Sequence, residues 1–284
     1  MLYSHLSPTS QELYQSEQEE TLPTATINGI DIAYTDEGSG TPLVLIHGYP
    51  LDRTMWDAQV QGLSSRARVI AIDLRGHGES QAPIWTTTVD TYADDVRGLL
   101  DHLSIDKAVI CGFSMGGYVA FAFLRKYPDR VRGLILADTR PQPDAPEGKA
   151  ARFQSALTAQ QRGAGAIAEA MIGRLLSQKS MDERRELVEK VNGIMEATPV
   201  QGIAGDLMAM AERPDSVEML SSIRVPTLVV VGEMDGLTPP ADAKLMAERI
   251  PGARLEVIPG AAHLANMEEP QHFNRVVEEF LTGV

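Results

Sequence analysis

The chain has 284 residues, 43% of them apolar and 23% charged, which suits a soluble globular chain of one large domain or one domain carrying an insertion. At that length it can bury a sizeable core without disulfides or metals. Its formal net charge of −14 repels phosphate backbones and anionic lipid surfaces, so neither nucleic acid nor a membrane is expected as a partner.

Residues 1–21 are rich in Ser, Gln and Glu without a sustained period, and are expected to form a loosely docked arm. They lack a basic start followed by an apolar block, so no secretory signal is expected. The single cysteine, Cys111, cannot form an internal disulfide and fits a reducing compartment. No run approaches the roughly 20 apolar residues of a membrane span, and a cytoplasmic location is the expectation.

From Thr24 a regular pattern begins. Ala25–Ile27 and Ile30–Tyr34 flank Asn28-Gly29, a strong hairpin signal. Pro42–Ile46, Arg68–Ile72, Ala108–Cys111 and Val131–Ala137 read as strands buried on both faces. Helices are expected from about Val89 to Leu103 and from Ser114 to about Tyr127. Strands alternating with helices predict a parallel sheet covered on both sides.

Residues from about Arg140 to Ile223 break this rhythm, with abundant Ala, Met, Leu, Glu and Gln and no convincing strand. Glu183–Ile194 and Gly205–Ala211 look helical, interrupted elsewhere by Gly-Ala-Gly at 163–165 and by Pro199 and Pro214. The rhythm resumes with a strand at Thr227–Val231, a helix at Pro240–Arg249, a strand at Ala253–Ile258 and a closing helix at about Pro270–Thr282. The expected division is an arm at 1–21, an α/β core at 22–139 and 224–284, and a helical cap at 140–223.

The richest segment is Gly112-Phe113-Ser114-Met115-Gly116, a Gly-x-Ser-x-Gly between a buried strand and a helix. That context is what a nucleophile elbow requires, with the glycines leaving room for a tight turn. Read blandly, the same pattern is a strand-to-helix turn capped by Ser114. Cys111, on the strand before it, is expected to be a small core residue.

A serine needs a base. Of six histidines, His5 lies in the arm, His102 and His272 read as surface residues, and His47 and His77 sit in glycine-rich turns. His263 follows the last strand in a loop of small residues and is the expected base. Asp235, just after the preceding strand, is the expected orienting acid; Glu233 and Asp138 are the rivals, Asp138 the more serious because it also follows a strand. For an oxyanion, the backbone N–H groups of Met115 and Tyr49 are the expected donors, since Pro50 has none.

Taken together, His47-Gly48-Tyr49-Pro50, Asp73–Ser80, Gly112–Gly117, Gly232–Asp235 with Thr238-Pro239, and Gly260–His263 resemble the α/β-hydrolase superfamily. The resemblance covers nearly everything after Thr24. It implies a mostly parallel sheet flanked by helices, with the helical cap inserted after the sixth strand, and the chain order Ser114, Asp235, His263. Within the superfamily the motifs look like small bacterial carboxylesterases, and also like 3-oxoadipate enol-lactonase-like and cofactor-free haloperoxidase-like hydrolases. Ser114 stands where epoxide hydrolases and haloalkane dehalogenases carry aspartate, and the His-Gly-Gly-Gly loop of some lipases is missing.

The activity this implies is that of a serine esterase of small to medium esters, with no cofactor and no metal, and the net charge of −14 mildly disfavours anionic substrates and favours neutral esters. The alternatives are a lactonase, a perhydrolase or haloperoxidase, and a hydrolase-fold ligand receptor with little turnover. Met171, Met195, Met208 and Met210 could line an adaptable apolar pocket or simply pack the cap helices, the reading preferred for any one of them. The exposed cap face is where a homodimer contact would be sought.

Overall fold

The structure is a computed structural model, and it describes residues 22–82 and 87–284. The arm expected at 1–21 lies outside the described residues. The hairpin forms where Asn28-Gly29 requires it. β1 (Thr24–Ile27) and β2 (Ile30–Gly38) pair antiparallel, and both turn residues have positive φ, 49° and 80°, as a two-residue turn of this hand demands.

The remaining strands are β3 (Pro42–Ile46), β4 (Arg68–Ile72), β5 (Ala108–Phe113), β6 (Val131–Ala137), β7 (Thr227–Gly232) and β8 (Arg254–Ile258). They form one sheet in the order β1-β2-β4-β3-β5-β6-β7-β8, parallel from β4 through β8. Among the described residues only the β1-β2-β4 edge is antiparallel.

The continuous apolar strands follow from burial on both faces. Alternate residues Val44, Ile46, Ile110, Leu134 and Val229 pack with α2 (Val89–His102) and α3 (Met115–Lys126). Their neighbours Leu43, Leu45, Val109, Ile135 and Leu228 face the opposite layer. There α1 (Asp57–Leu63), which carried no clear signal in the sequence, lies with α11 (Pro270–Leu281).

Between β6 and β7 the chain forms α4 (Pro146–Arg162), α5 (Ala164–Leu175), α6 (Gln178–Glu183), α7 (Arg185–Ala197) and α8 (Val200–Ala211). α9 (Pro240–Arg249) and α10 (Ala265–Glu268) complete the set. The expected helix at Glu183–Ile194 is therefore two helices, broken at Arg184, whose extended φ ends α6. Gly163, at φ 80°, separates α4 from α5, and Pro199 and Pro214 flank α8.

α8 meets the sheet-bearing part of the chain very closely. A Cβ on Gly202 would lie 2.0 Å from the carbonyl oxygen of Gly76. Beside that contact, buried Asp206 accepts from the hydroxyl of Tyr92 and lies 2.9 Å from His77 Nε2. Burial pushes the His77 imidazole down, but the Asp206 carboxylate outweighs it and raises its proton affinity. No helix among the described residues is long and apolar enough to cross a membrane.

Candidate active site

β5 ends at Phe113, and Ser114 follows at φ 51°, ψ −112° before α3 begins at Met115. A non-glycine residue held there costs on the order of 1–3 kcal/mol and persists only where its surroundings enforce it. The surroundings are tight: a Cβ on Gly112 would sit 2.2 Å from the carbonyl oxygen of Gly116. The Ser114 N–H is fixed by the Ala137 carbonyl at 2.9 Å.

The loop after β3 passes beside this turn. A Cβ on Gly48 would lie 3.0 Å from Ser114 Cβ and 2.7 Å from the Phe113 ring, so only glycine admits the approach. His47 holds the loop rather than serving as a base. Its Nδ1 contacts the Gly48 carbonyl at 3.1 Å, and its Nε2 accepts from the Leu74 N–H at 3.0 Å. Burial, reinforced by His77, holds its proton affinity well below the ordinary imidazole value. The N–H groups of Tyr49 and Met115 donate to no carbonyl or side chain among the described residues. As the first residue of α3, Met115 is one of the donors a helix leaves free.

His263, after β8, is 2% exposed and stands between the other two expected groups. Its Nε2 is 2.9 Å from Ser114 Oγ and its Nδ1 2.8 Å from Asp235 Oδ2. The Phe113 ring supports the imidazole at 5.0 Å between centroids. Asp235 is fully engaged: Oδ1 accepts from the N–H groups of Leu237 (2.8 Å) and Thr238 (3.0 Å), and Oδ2 from the Thr238 hydroxyl (2.7 Å). Burial alone would push this carboxyl up, but His263 and then Thr238 outweigh it and hold it below the usual carboxylate range.

The rivals are otherwise placed. Glu233 accepts from the Gly260 N–H at 2.9 Å and makes no hydrogen bond to His263. Asp138, itself at φ 44°, accepts from the Gly232 N–H at 2.8 Å through Oδ1. Its Oδ2 is buried without a partner among the described residues. Burial first, and the charge of Asp235 second, push its carboxyl well above the carboxylate range.

The folded chain thus binds this proton at pH values where the unfolded chain releases it. The group favours folding in acid and costs stability as pH rises above about 4. Asp138→Asn keeps the acceptor for Gly232 and has no proton to lose. Its melting temperature is expected to gain on wild type as pH is raised above about 4, until Asp138 ionises in the folded chain. A gap constant with pH would place an ionised Asp138 in the folded state.

Ligand atoms of Asp138, Asp235 and His263 lie within 4.8 Å of one another. They do not make a good cation site, because Asp235 and His263 are already committed to each other and to Thr238, leaving Asp138 Oδ2 as the one uncommitted oxygen. Cys111 is fully buried beneath the elbow and burial pushes its thiol up, so it is a core residue.

A cavity of about 390 Å³ opens over Ser114 and His263, lined by Tyr49, Tyr118 and residues of α4 and α5. Met171 and Met210 line it, whereas Met195 is buried in the core and Met208 packs, partly buried, against the core. Two features carried no signal in the sequence. Glu268 binds the histidine loop to the insertion, its Oε2 accepting from the Ala262 N–H (2.6 Å) and its Oε1 from the Ser177 N–H (2.9 Å). Asp144, in the wall, gathers three arginines: Arg213 at 2.8 Å, Arg152 at 2.7 Å and Arg140 at 3.1 Å.

Such a sheet, with its serine turn and facing histidine, defines an α/β-hydrolase-fold enzyme. The family described as alpha/beta hydrolase fold matches residues 41–270, and the chain belongs to it. Among curated relatives, 3-oxoadipate enol-lactonase 2 of Acinetobacter baylyi is 33% identical over 90% of this chain and 94% of its own. Among solved structures, a thermophilic esterase from Thermogutta terrifontis superposes with a TM-score of 0.90 at 44% identity, covering 92% of this chain and 98% of that one. The enol-lactonase of Burkholderia xenovorans LB400 superposes with a TM-score of 0.86 at 32% identity, covering 92% and 100%.

Proposed function

We propose that this chain is a serine hydrolase of carboxylic esters working through an acyl-enzyme. The observation that carries the reading is His263 bridging Ser114 Oγ at 2.9 Å and Asp235 Oδ2 at 2.8 Å at the floor of the cavity. Ser114 Oγ attacks the ester carbonyl while His263 Nε2 takes its proton, and the carbonyl oxygen becomes an anion held by the N–H groups of Tyr49 and Met115. As the tetrahedral species collapses, the bond to the alcohol oxygen breaks and His263 returns the proton to it. Water then gives a proton to His263 and attacks the acyl carbon. Collapse frees the acid and restores the Ser114 hydroxyl. Asp235 holds the imidazole tautomer throughout.

A lactonase is the second reading, favoured by the enol-lactonases among the similar proteins. The steps are the same, with the leaving oxygen still tethered to the acyl chain. A perhydrolase would resolve the acyl-enzyme with peroxide, and a receptor would bind without turnover.

One experiment separates hydrolysis through Ser114 from binding without turnover. A fluorophosphonate should label Ser114 stoichiometrically, and the labelled protein should lose turnover of short nitrophenyl esters and γ-lactones. Labelling elsewhere, or stoichiometric binding with no sustained product release, overturns the hydrolase reading.

A further inference from the structure

The cavity wall has the opposite sign to the molecule. Against a net charge of −14, three cations, Arg140, Arg152 and Arg174, line the cavity with a single acid, Asp144. Asp144 is 4% exposed at its side chain and is already shared between Arg140, Arg152 and the buried Arg213. Burial alone would push its carboxyl up, but the hydrogen bonds from Arg213 and Arg152 outweigh it and hold it well below the carboxylate range.

One carboxylate cannot saturate three guanidinium forks. The shortfall is visible at Arg140, whose Nε is buried without a partner among the described residues. Arg213 is accounted for otherwise: it donates to the Met210 and Gln142 carbonyls and lies 4.2 Å over the Tyr118 ring. Arg174, on α5, makes no ion pair among the described residues and reaches the same cavity. A purely structural cluster would explain Arg213 and Asp144, but not a guanidinium at the same cavity that has no ion pair among the described residues. In a walled cavity such charges act more strongly than the same charges spread over an exterior.

We propose that the cavity takes an ester or lactone that itself bears a carboxylate, bound by Arg140, Arg152 and Arg174 while Ser114 attacks the carbonyl. This rests on the hydrolase reading and revises the neutral substrate expected from net charge, which sums the whole exterior and ignores where the cations gather. Arg–carboxylate pairs are commonly bidentate, so the charged group would also set the register of the scissile carbonyl over Ser114.

The test uses two matched pairs: monophenyl glutarate against phenyl pentanoate, with charge on the acyl side, and 4-acetoxybenzoate against phenyl acetate, with charge on the leaving side. For each pair the ratio of kcat/KM, charged over neutral, is measured in wild type, Arg174→Gln and Arg174→Glu. Arg174 is exposed, so both variants are expected to fold. Comparing ratios between proteins cancels the intrinsic reactivity of the esters.

In at least one pair the wild-type ratio is expected to exceed 1, and to fall about tenfold in Arg174→Glu, with Arg174→Gln between. Glutarate is expected to inhibit hydrolysis of phenyl acetate more strongly than glutaramide, and less so as salt is raised. Ratios unchanged in both variants for both pairs, or equal inhibition by glutarate and glutaramide, overturn the proposal. If that happens while phenyl acetate is still hydrolysed and Ser114 still labelled, the hydrolase reading stands. If no ester turns over and Ser114 resists the label, both fall together.

Discussion

Ser114→Ala is expected to lower kcat on short nitrophenyl esters by roughly 10⁵- to 10⁶-fold, with melting temperature little changed. The reacting oxygen is lost, and no neighbouring group can replace it: Cys111 is sealed in the core, and His47 has both ring nitrogens engaged. Among the described residues Ser114 Oγ makes one hydrogen bond, to His263, so little structure goes with it. What remains should be the small acceleration owed to binding and the two free N–H groups. Steady-state rates with active-site titration check this, since contaminating wild type sets the floor. Activity within tenfold of wild type would remove Ser114 from the mechanism.

Asp235→Asn is expected to lower kcat by roughly 10⁴-fold while leaving KM nearly unchanged. The reason is local. Oδ1 accepts two backbone N–H groups, so an asparagine must keep its oxygen there and turn its NH₂ toward His263 and Thr238. That NH₂ donates to His263 Nδ1 and drives the ring proton to Nε2, where it meets Ser114 and can no longer accept from it. Asp235 does not line the cavity, which is why substrate affinity should be spared. Asp138 is near enough to be considered a substitute, but it makes no hydrogen bond to His263, and burial with the Asp235 charge pushes its carboxyl well above the carboxylate range. A variant retaining more than a tenth of wild-type kcat would show that another carboxylate orients the base.

The sheet and the serine turn were legible because their signals are local. Strands buried on both faces read as unbroken apolar runs, and Gly112 and Gly116 mark a turn that no other residue fits. The choice between Asp235 and Asp138 was harder. Both follow neighbouring parallel strands, β7 and β6, so both reach the same edge of the sheet. Only the hydrogen bond of 2.8 Å to Nδ1 separates their positions relative to His263, and no spacing in the chain encodes that.

The arginine cluster was not legible at all. Arg140, Asp144, Arg152 and Arg213 span more than seventy positions of a segment whose helices look like ordinary polar surface. Their meaning comes from being folded around one carboxylate. For the same reason the net charge of −14 does not reveal that cations gather at the cavity.

The close seat of Gly202 on Gly76 constrains how the enzyme can be re-engineered. The residues proposed to break bonds stand on loops at the sheet edge, whereas Arg152 and Arg174 arrive on the segment between β6 and β7. Recognition could therefore be exchanged by grafting another such segment, leaving the reacting groups untouched. The graft has a steric condition: where α8 crosses Gly76, any side chain would have to occupy the space of a carbonyl oxygen. A library of grafts should keep glycine at position 202 and vary the rest.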